Sequence, residues 1–139
     1  MELANYLNFD GTCEAAFKHY EKLLGGKIEF MMRFGEGPPE ACGDLPAEAR
    51  DKIMHVRMRL GQWALMGSDA PHGRYEKPQG NWVSLSVDSA AEAERIYKGL
   101  SDNAKIVMPL DKTFWAEKFG MLVDRFGTPW MINCEAEQS

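Results

Sequence analysis

Any acid–base, nucleophilic or metal chemistry in these 139 residues draws on few groups besides carboxylates: histidines 19, 55 and 72 and cysteines 13, 42 and 134. The histidines show no HExxH or comparable ligand spacing. The cysteines lack the CxxC spacing that gathers thiolates on a metal or redox centre. His55 stands among Met54, Val56 and Met58 and alternates with Arg57 and Arg59, so on a strand the three polar side chains share one face. A hydrogen-bonded histidine in a solvated basic strip is the plain reading. If all three point into a cavity they favour an anionic ligand, and His55 becomes the group that could move a proton. His19, on a helix, and His72, in the polar loop 70–80, read as exposed. Cys13 and Cys134 read as buried and Cys42 as part of a loop, and with no base or cation beside them none reads as a nucleophile. No Ser-His-Asp spacing or paired-carboxylate motif stands out. Gly35-Glu36-Gly37-Pro38-Pro39 fails as an anion cradle, because its prolines have no N–H to offer, and reads as a surface loop.

Soft and aromatic side chains are more plentiful: nine Met, seven Phe, four Trp and four Tyr, enough to fill a core or line an apolar pocket. The chain is 27% charged and 45% hydrophobic with a net charge of −5, as suits one soluble domain. An acidic balance, with no local basic patch, excludes a general attraction to nucleic acid or an anionic membrane. The N-terminal residues carry no basic start and no apolar run, so a cytoplasmic protein is expected. The odd cysteine count suits reduced thiols.

The elements that must position these groups come in two copies. A shift of 78 residues lays Leu7 on Leu85, Asp10 on Asp88, Glu14 on Glu92, Ala15 on Ala93, Lys27 on Lys105 and Ile28 on Ile106. A shift of 66 lays Arg59-Leu60-Gly61 on Arg125-Phe126-Gly127, implying twelve extra residues in the first copy, between Gly35 and Asp51. Each copy reads strand, helix, then three strands. The strands are expected at 6–9, 27–34, 53–60 and 63–69, then at 82–87, 104–109, 119–124 and 129–135. The helices are expected at 12–24 and 90–101. Asp10-Gly11-Thr12 and Asp88-Ser89 supply the helix-start oxygens, and Gly25-Gly26 ends the first helix. By alternation Tyr6, Asn8, Trp82, Ser84 and Ser86 lie on the face away from the helices. Phe114-Trp115 sits in a stretch without clear period, suited to a lid, a ligand contact or a dimer seam.

The fold expected is α+β: two βαβββ modules, about 1–70 and 80–135, forming curved mixed sheets around a cleft with the helices outside, in a single domain over 1–139. Paired βαβββ modules resemble the vicinal oxygen chelate superfamily, which includes glyoxalase I, extradiol dioxygenases and the bleomycin- and fosfomycin-resistance proteins. Within it the chain looks most like the PhnB-like, or YjdN-like, branch. The resemblance rests on Tyr6-Leu7-Asn8-Phe9-Asp10-Gly11-Thr12-Cys13-Glu14-Ala15, on His55 with Met66-Gly67-Ser68-Asp69-Ala70, on Phe114-Trp115-Ala116, and above all on the segment Asp124–Asn133.

The resemblance implies four metal-ligand positions, one from the first and one from the fourth strand of each module. They fall on Ala4 or Asn5, on Leu65 or Met66, on Trp82 and on Met131. None is His, Asp or Glu, and an indole nitrogen only donates, so no metal and no cofactor is expected. Some members of the branch carry a ubiquinone-methyltransferase label, but no Gly-rich turn suited to S-adenosylmethionine is present. The first functional expectation is a metal-independent small-molecule binder. Its candidate ligand contacts are Tyr6, Asn8, His55, Trp82, Ser84, Phe114, Trp115 and Met131. The second is an enzyme of the superfamily, a lyase, isomerase or dioxygenase-like protein, with a relocated metal or a His55-based proton transfer. The third is a structural or regulatory dimer without a pocket. A homodimer is expected from the resemblance and the aromatic surplus.

Overall fold

The computed structural model describes residues 1–38, 40, 45–71 and 73–135; Cys42 and His72 lie outside them. The chain divides into two units, Met1–Glu76 and Lys77–Ser139. In the first, β1 (Asn5–Phe9), α1 (Cys13–Leu24) and β2 (Lys27–Arg33) lead through a 3-10 turn (Phe34–Glu36) and one helical turn, α2 (Ala47–Arg50), to β3 (Ile53–Leu60) and β4 (Trp63–Asp69). The second runs β5 (Val83–Val87), α3 (Ala90–Ser101), β6 (Lys105–Asp111), β7 (Ala116–Val123) and β8 (Pro129–Glu135). The sheet orders are β1-β4-β3-β2 and β5-β8-β7-β6. In each, the first and last strands pair in parallel and the other pairs are antiparallel. The fold is therefore α+β, two four-stranded mixed sheets each with its helix, as the resemblance implied.

One face of each sheet is dry because an amphipathic helix lies on it. Cys13, Ala16, Phe17 and Tyr20 of α1 are buried with Leu7, Phe9, Val56, Met58 and Leu65. Phe17 meets Phe9 and Tyr20 edge-on, at ring separations of 6.0 and 5.8 Å. Gly67 permits this approach: a Cβ there would stand 2.8 Å from the Phe17 ring. Gly25, at φ +73°, closes α1 in the left-handed conformation and donates its N–H to the Glu21 carbonyl. In the second unit Ala93, Ile96 and Leu100 of α3 are buried, as are Leu122, Trp130 and Ile132 of the sheet.

Pairing corrects the repeat. Lys27 opposes Arg59 and Lys105 opposes Val123, so β2 maps onto β6 at a shift of 78 but β3 onto β7 at 64. Asn5 with Leu65 and Val83 with Trp130 put β4 onto β8 at 65. The shift of 66 is therefore not structural, and the first unit carries fourteen extra residues between β2 and β3 rather than twelve. Arg59-Leu60-Gly61 ends a strand at the two-residue Gly61-Gln62 hairpin, whereas Arg125-Phe126-Gly127 lies inside the longer turn Asp124–Thr128. Similar letters had aligned different local structures. The stretch before Phe114 also resolves: β6 runs on to Asp111 and β7 begins at Ala116.

The helix starts differ. Ser89 accepts the Glu92 N–H at 3.1 Å, as expected. Thr12 makes no such bond; the buried Asp69, from β4, accepts the Cys13 N–H instead. Beside it, Glu14 is held by Arg33 at 2.7 Å and Lys18 at 3.1 Å, chiefly the Arg33 hydrogen bonds lowering its carboxyl to about 2 from an ordinary 4.5. A depressed carboxyl contributes stability that is complete above its unfolded value and lost as pH falls toward the folded one. The stability difference between wild type and Glu14→Gln is therefore expected to shrink between pH 4.5 and 2. The cluster is solvent-accessible, so the difference at neutral pH is below about 1 kcal/mol. Urea midpoints at pH 6 and pH 3 check this, and an unchanging gap would refute it.

Candidate functional site

The sheet faces turned away from the helices carry the sequence's candidates, and strand pairing places each. On unit 1, Tyr6 opposes Met66, Met66 opposes Arg57, and His55 opposes Met32. The Tyr6 hydroxyl and His55 Nδ1 are 3.1 Å apart and the two rings stack at 5.7 Å, with Phe30 5.8 Å from the imidazole. With the hydroxyl as donor, a neutral imidazole keeps its own proton on Nε2. The Ser68 hydroxyl donates to Asn8 Oδ1 at 3.2 Å. His55, Arg57 and Arg59 do share this face, but the arginine charges are matched. Arg57 pairs with Glu2 at 2.6 Å and Glu29 at 3.4 Å, and Arg59 pairs with Glu29 at 2.6 Å. The expectation of an anionic ligand loses its uncompensated charge.

On unit 2, Ser84 is exposed and opposes Met131, which opposes Met121. Trp82 is half-buried just before β5. Trp115 lies edge-on to Phe119 at 5.4 Å, and Phe114 edge-on to Trp115 at 4.8 Å, with Phe114 96% exposed. The eight candidates thus fall into two groups: Tyr6, Asn8 and His55 on unit 1, and Trp82, Ser84, Phe114, Trp115 and Met131 on unit 2. Phe30, Met32, Phe119 and Met121 stand on the same faces without having been singled out by the sequence. On β2 the reason is an irregularity between Ile28 and Phe30 that breaks the alternation.

The metal-ligand positions implied by the resemblance can be tested on these residues. Register resolves the second to Met66, since Leu65 is buried on the helix side. The Met66 sulfur accepts from Arg57 Nη1 at 3.5 Å. Alanine or asparagine, two methionines and a tryptophan do not fit a hard divalent cation. Among the described residues no group of three or more His, Cys, Asp or Glu is placed to hold a metal.

Elsewhere, His19 is half-buried, its ring 6.3 Å from that of Tyr20, rather than exposed. Cys13 and Cys134 are buried and stand outside any disulfide. Burial, then the Asp69 charge, pushes the Cys13 thiol far up, so it is no nucleophile. A cavity of about 460 Å³ within unit 1 is lined by Asp10, Phe34, Pro46, Ala49, Lys52 and Asp69 among others, and by none of the eight candidates. Among the described residues no helix is long and apolar enough to cross a membrane.

Two sheets of order 1-4-3-2, each with one covering helix and an open face, define a class that the comparisons identify. The chain belongs to the Glyoxalase/Bleomycin resistance protein/Dioxygenase superfamily, whose profile matches residues 3–132. Protein YjdN of Escherichia coli (strain K12) is 33% identical over 144 residues, covering 99% of this chain and 98% of that one, which places the chain in the PhnB/YjdN-like branch. Protein PA1353 from Pseudomonas aeruginosa has the same fold at 45% identity and a TM-score of 0.86, covering 99% of each chain. The PhnB protein from Bacillus cereus shares the fold at 22% identity and a TM-score of 0.78, covering 96% of this chain and 99% of that one.

Proposed function

We propose that this protein binds a small, largely apolar molecule on its open sheet faces without a metal. The observation that carries this reading is the chemistry of those faces. Tyr6, Phe30, Met108 and Trp115 are each at least 40% exposed, and Met66 and Met131 occupy positions that the superfamily resemblance implies for metal ligands. Solvent-facing rings and thioethers on a sheet face are the usual lining of a small-molecule site. A dimer acting in the cytoplasm is part of the same proposal, since exposed side chains such as Phe114 suit contact with a second copy.

The test is a thermal-shift screen of aromatic and heteroaromatic compounds, alongside metal analysis of protein purified without chelators. A ligand at a hundred times its Kd adds about 2.7 kcal/mol, a rise in Tm on the order of 5–10 °C for a chain of this size. Silence across the library would overturn the binding proposal. Stoichiometric nickel, zinc, iron or manganese would overturn its metal-independence.

One observation favours a second reading, an enzyme: the Tyr6 hydroxyl and His55 Nδ1 are hydrogen-bonded at 3.1 Å on an open face. Such a pair could take a proton from a bound substrate and return it elsewhere.

A further inference from the structure

The repeat carries an exchanged pair of polar residues. On unit 1, Asn8 of β1 opposes Ser68 of β4; at the equivalent register on unit 2, Ser86 of β5 opposes Asn133 of β8. The amide and the hydroxyl have changed strands, and their bonding differs. The Ser68 hydroxyl donates to Asn8 Oδ1 at 3.2 Å, so that amide oxygen is satisfied within the unit. Asn133 Oδ1 is buried and has no hydrogen-bond partner among the described residues. Buried amide oxygens in folded proteins are nearly always partnered, because burial removes water and only another donor restores the lost interaction.

The surroundings of Asn133 narrow what that donor could be. Its neighbour across β7 is Phe119, against whose ring Trp115 lies edge-on at 5.4 Å. Two residues earlier on the same strand and face, Met131 opposes Met121, which in turn opposes Met108. The carboxylate at the far end of the Asn133 row, Asp111, is exposed and accepts the Lys112 N–H at 2.7 Å. A neutral amide, with only the Ser84 and Ser86 hydroxyls of β5 beside it and otherwise rings and thioethers, would strip an ion of its hydration without a counter-charge. It suits an uncharged, flat molecule with one donor on its edge.

We propose that Asn133 Oδ1, which is closed to solvent, is a ligand-reading acceptor of unit 2, reached when the side chains over it move aside for the N–H of a flat, neutral heteroaromatic molecule whose rings then lie against Phe119, Met121 and Met131. This rests on the small-molecule reading above and assigns it a place and a chemistry.

The test uses indole and benzofuran, nearly isosteric rings that differ in an N–H against an ether oxygen. Each is titrated into the full chain and followed by amide 1H–15N shifts. Indole is expected to bind about tenfold more tightly than benzofuran, with shifts centred on β5, β7 and β8. Asn133→Leu should bring the two probes within about twofold of each other. Amide 1H–15N shifts of Asn133→Leu outside β5, β7 and β8 should match those of the wild type, and this guards against misfolding of the leucine variant. Equal affinities in the wild type, a preference that survives Asn133→Leu, or shifts elsewhere on the chain would each overturn the inference. So would the absence of any binding by either probe. The broader small-molecule proposal falls only if the compound screen is silent as well.

Discussion

Asp124→Ala is expected to destabilise the protein by about 3–5 kcal/mol, one of the two largest single-residue effects foreseen. The side chain is 5% exposed, and its two oxygens serve at least three donors. Oδ1 accepts the Phe126 and Thr128 N–H groups at 2.9 and 3.0 Å, and Oδ2 accepts the Trp130 indole N–H at 2.9 Å. The backbone closes the same turn, with Asp124 N–H donating to the Thr128 carbonyl and Gly127 N–H to the Asp124 carbonyl, both at 2.9 Å. Alanine would leave the Thr128 amide and the Trp130 indole without their acceptor, and Trp130 is fully buried in the core of unit 2. Hydrogen bonds to a charged group contribute about 1.5–3 kcal/mol each and are not additive within one network, hence the range. Asparagine should fall between, because its amide oxygen can still serve the turn while its NH₂ faces the indole N–H, donor against donor. Urea unfolding of the three proteins is the measurement. A midpoint for Asp124→Ala corresponding to less than about 1 kcal/mol of loss would show that the network relaxes or rehydrates at little cost.

Asp69→Ala comes second, at about 3–4 kcal/mol, for a related reason in unit 1. This carboxylate is 2% exposed and ties two elements together: Oδ1 accepts the Cys13 N–H at 3.0 Å at the start of α1, and Oδ2 the Ile53 N–H at 2.8 Å at the start of β3. Both donors belong to buried residues, so neither would recover water without local opening. Thr12→Ala is the control. Thr12 occupies the cap position but its side chain makes no cap bond, so its removal should change stability by less than about 0.5 kcal/mol. Amide exchange gives a second readout: Cys13 and Ile53 should lose protection in Asp69→Ala and keep it in Thr12→Ala. A larger loss in the threonine variant than in the aspartate variant would reverse the assignment.

These residues show where local reading succeeds and where it stops. The segment Asp124–Asn133 carried the most specific resemblance, and the structure gives it a physical cause: one carboxylate closes the turn and anchors the indole six residues on. The spacing was legible and the bonding was not, because a turn's hydrogen bonds depend on a backbone path that residue types only constrain. The α1 cap shows the opposite case. Asp10-Gly11-Thr12 obeys the local rule, yet the acceptor comes from Asp69, which is near Cys13 only because β4 lies beside β1. Arg57 and Arg59 share a face by alternation, as read, but Glu2 and Glu29 come from elsewhere in the chain and neutralise them. The twelve-residue insertion was an inference from letters that looked alike on either side of two different turns.

The sequence by itself determined the α+β class, the two βαβββ copies, most boundaries of the strands and of the two long helices, and the face on which Tyr6, Asn8, Ser84 and Ser86 stand. These follow from apolar periods of 3.6 and 2, which a chain carries locally. Only the tertiary structure decided which acceptor serves which donor: that Tyr6 meets His55, that Asp69 caps α1, that Ser68 satisfies Asn8, and that Asn133 Oδ1 has no donor among the described residues. Such pairings join residues far apart in the chain, and their geometry depends on strand register, where a slip of one residue reverses every side chain.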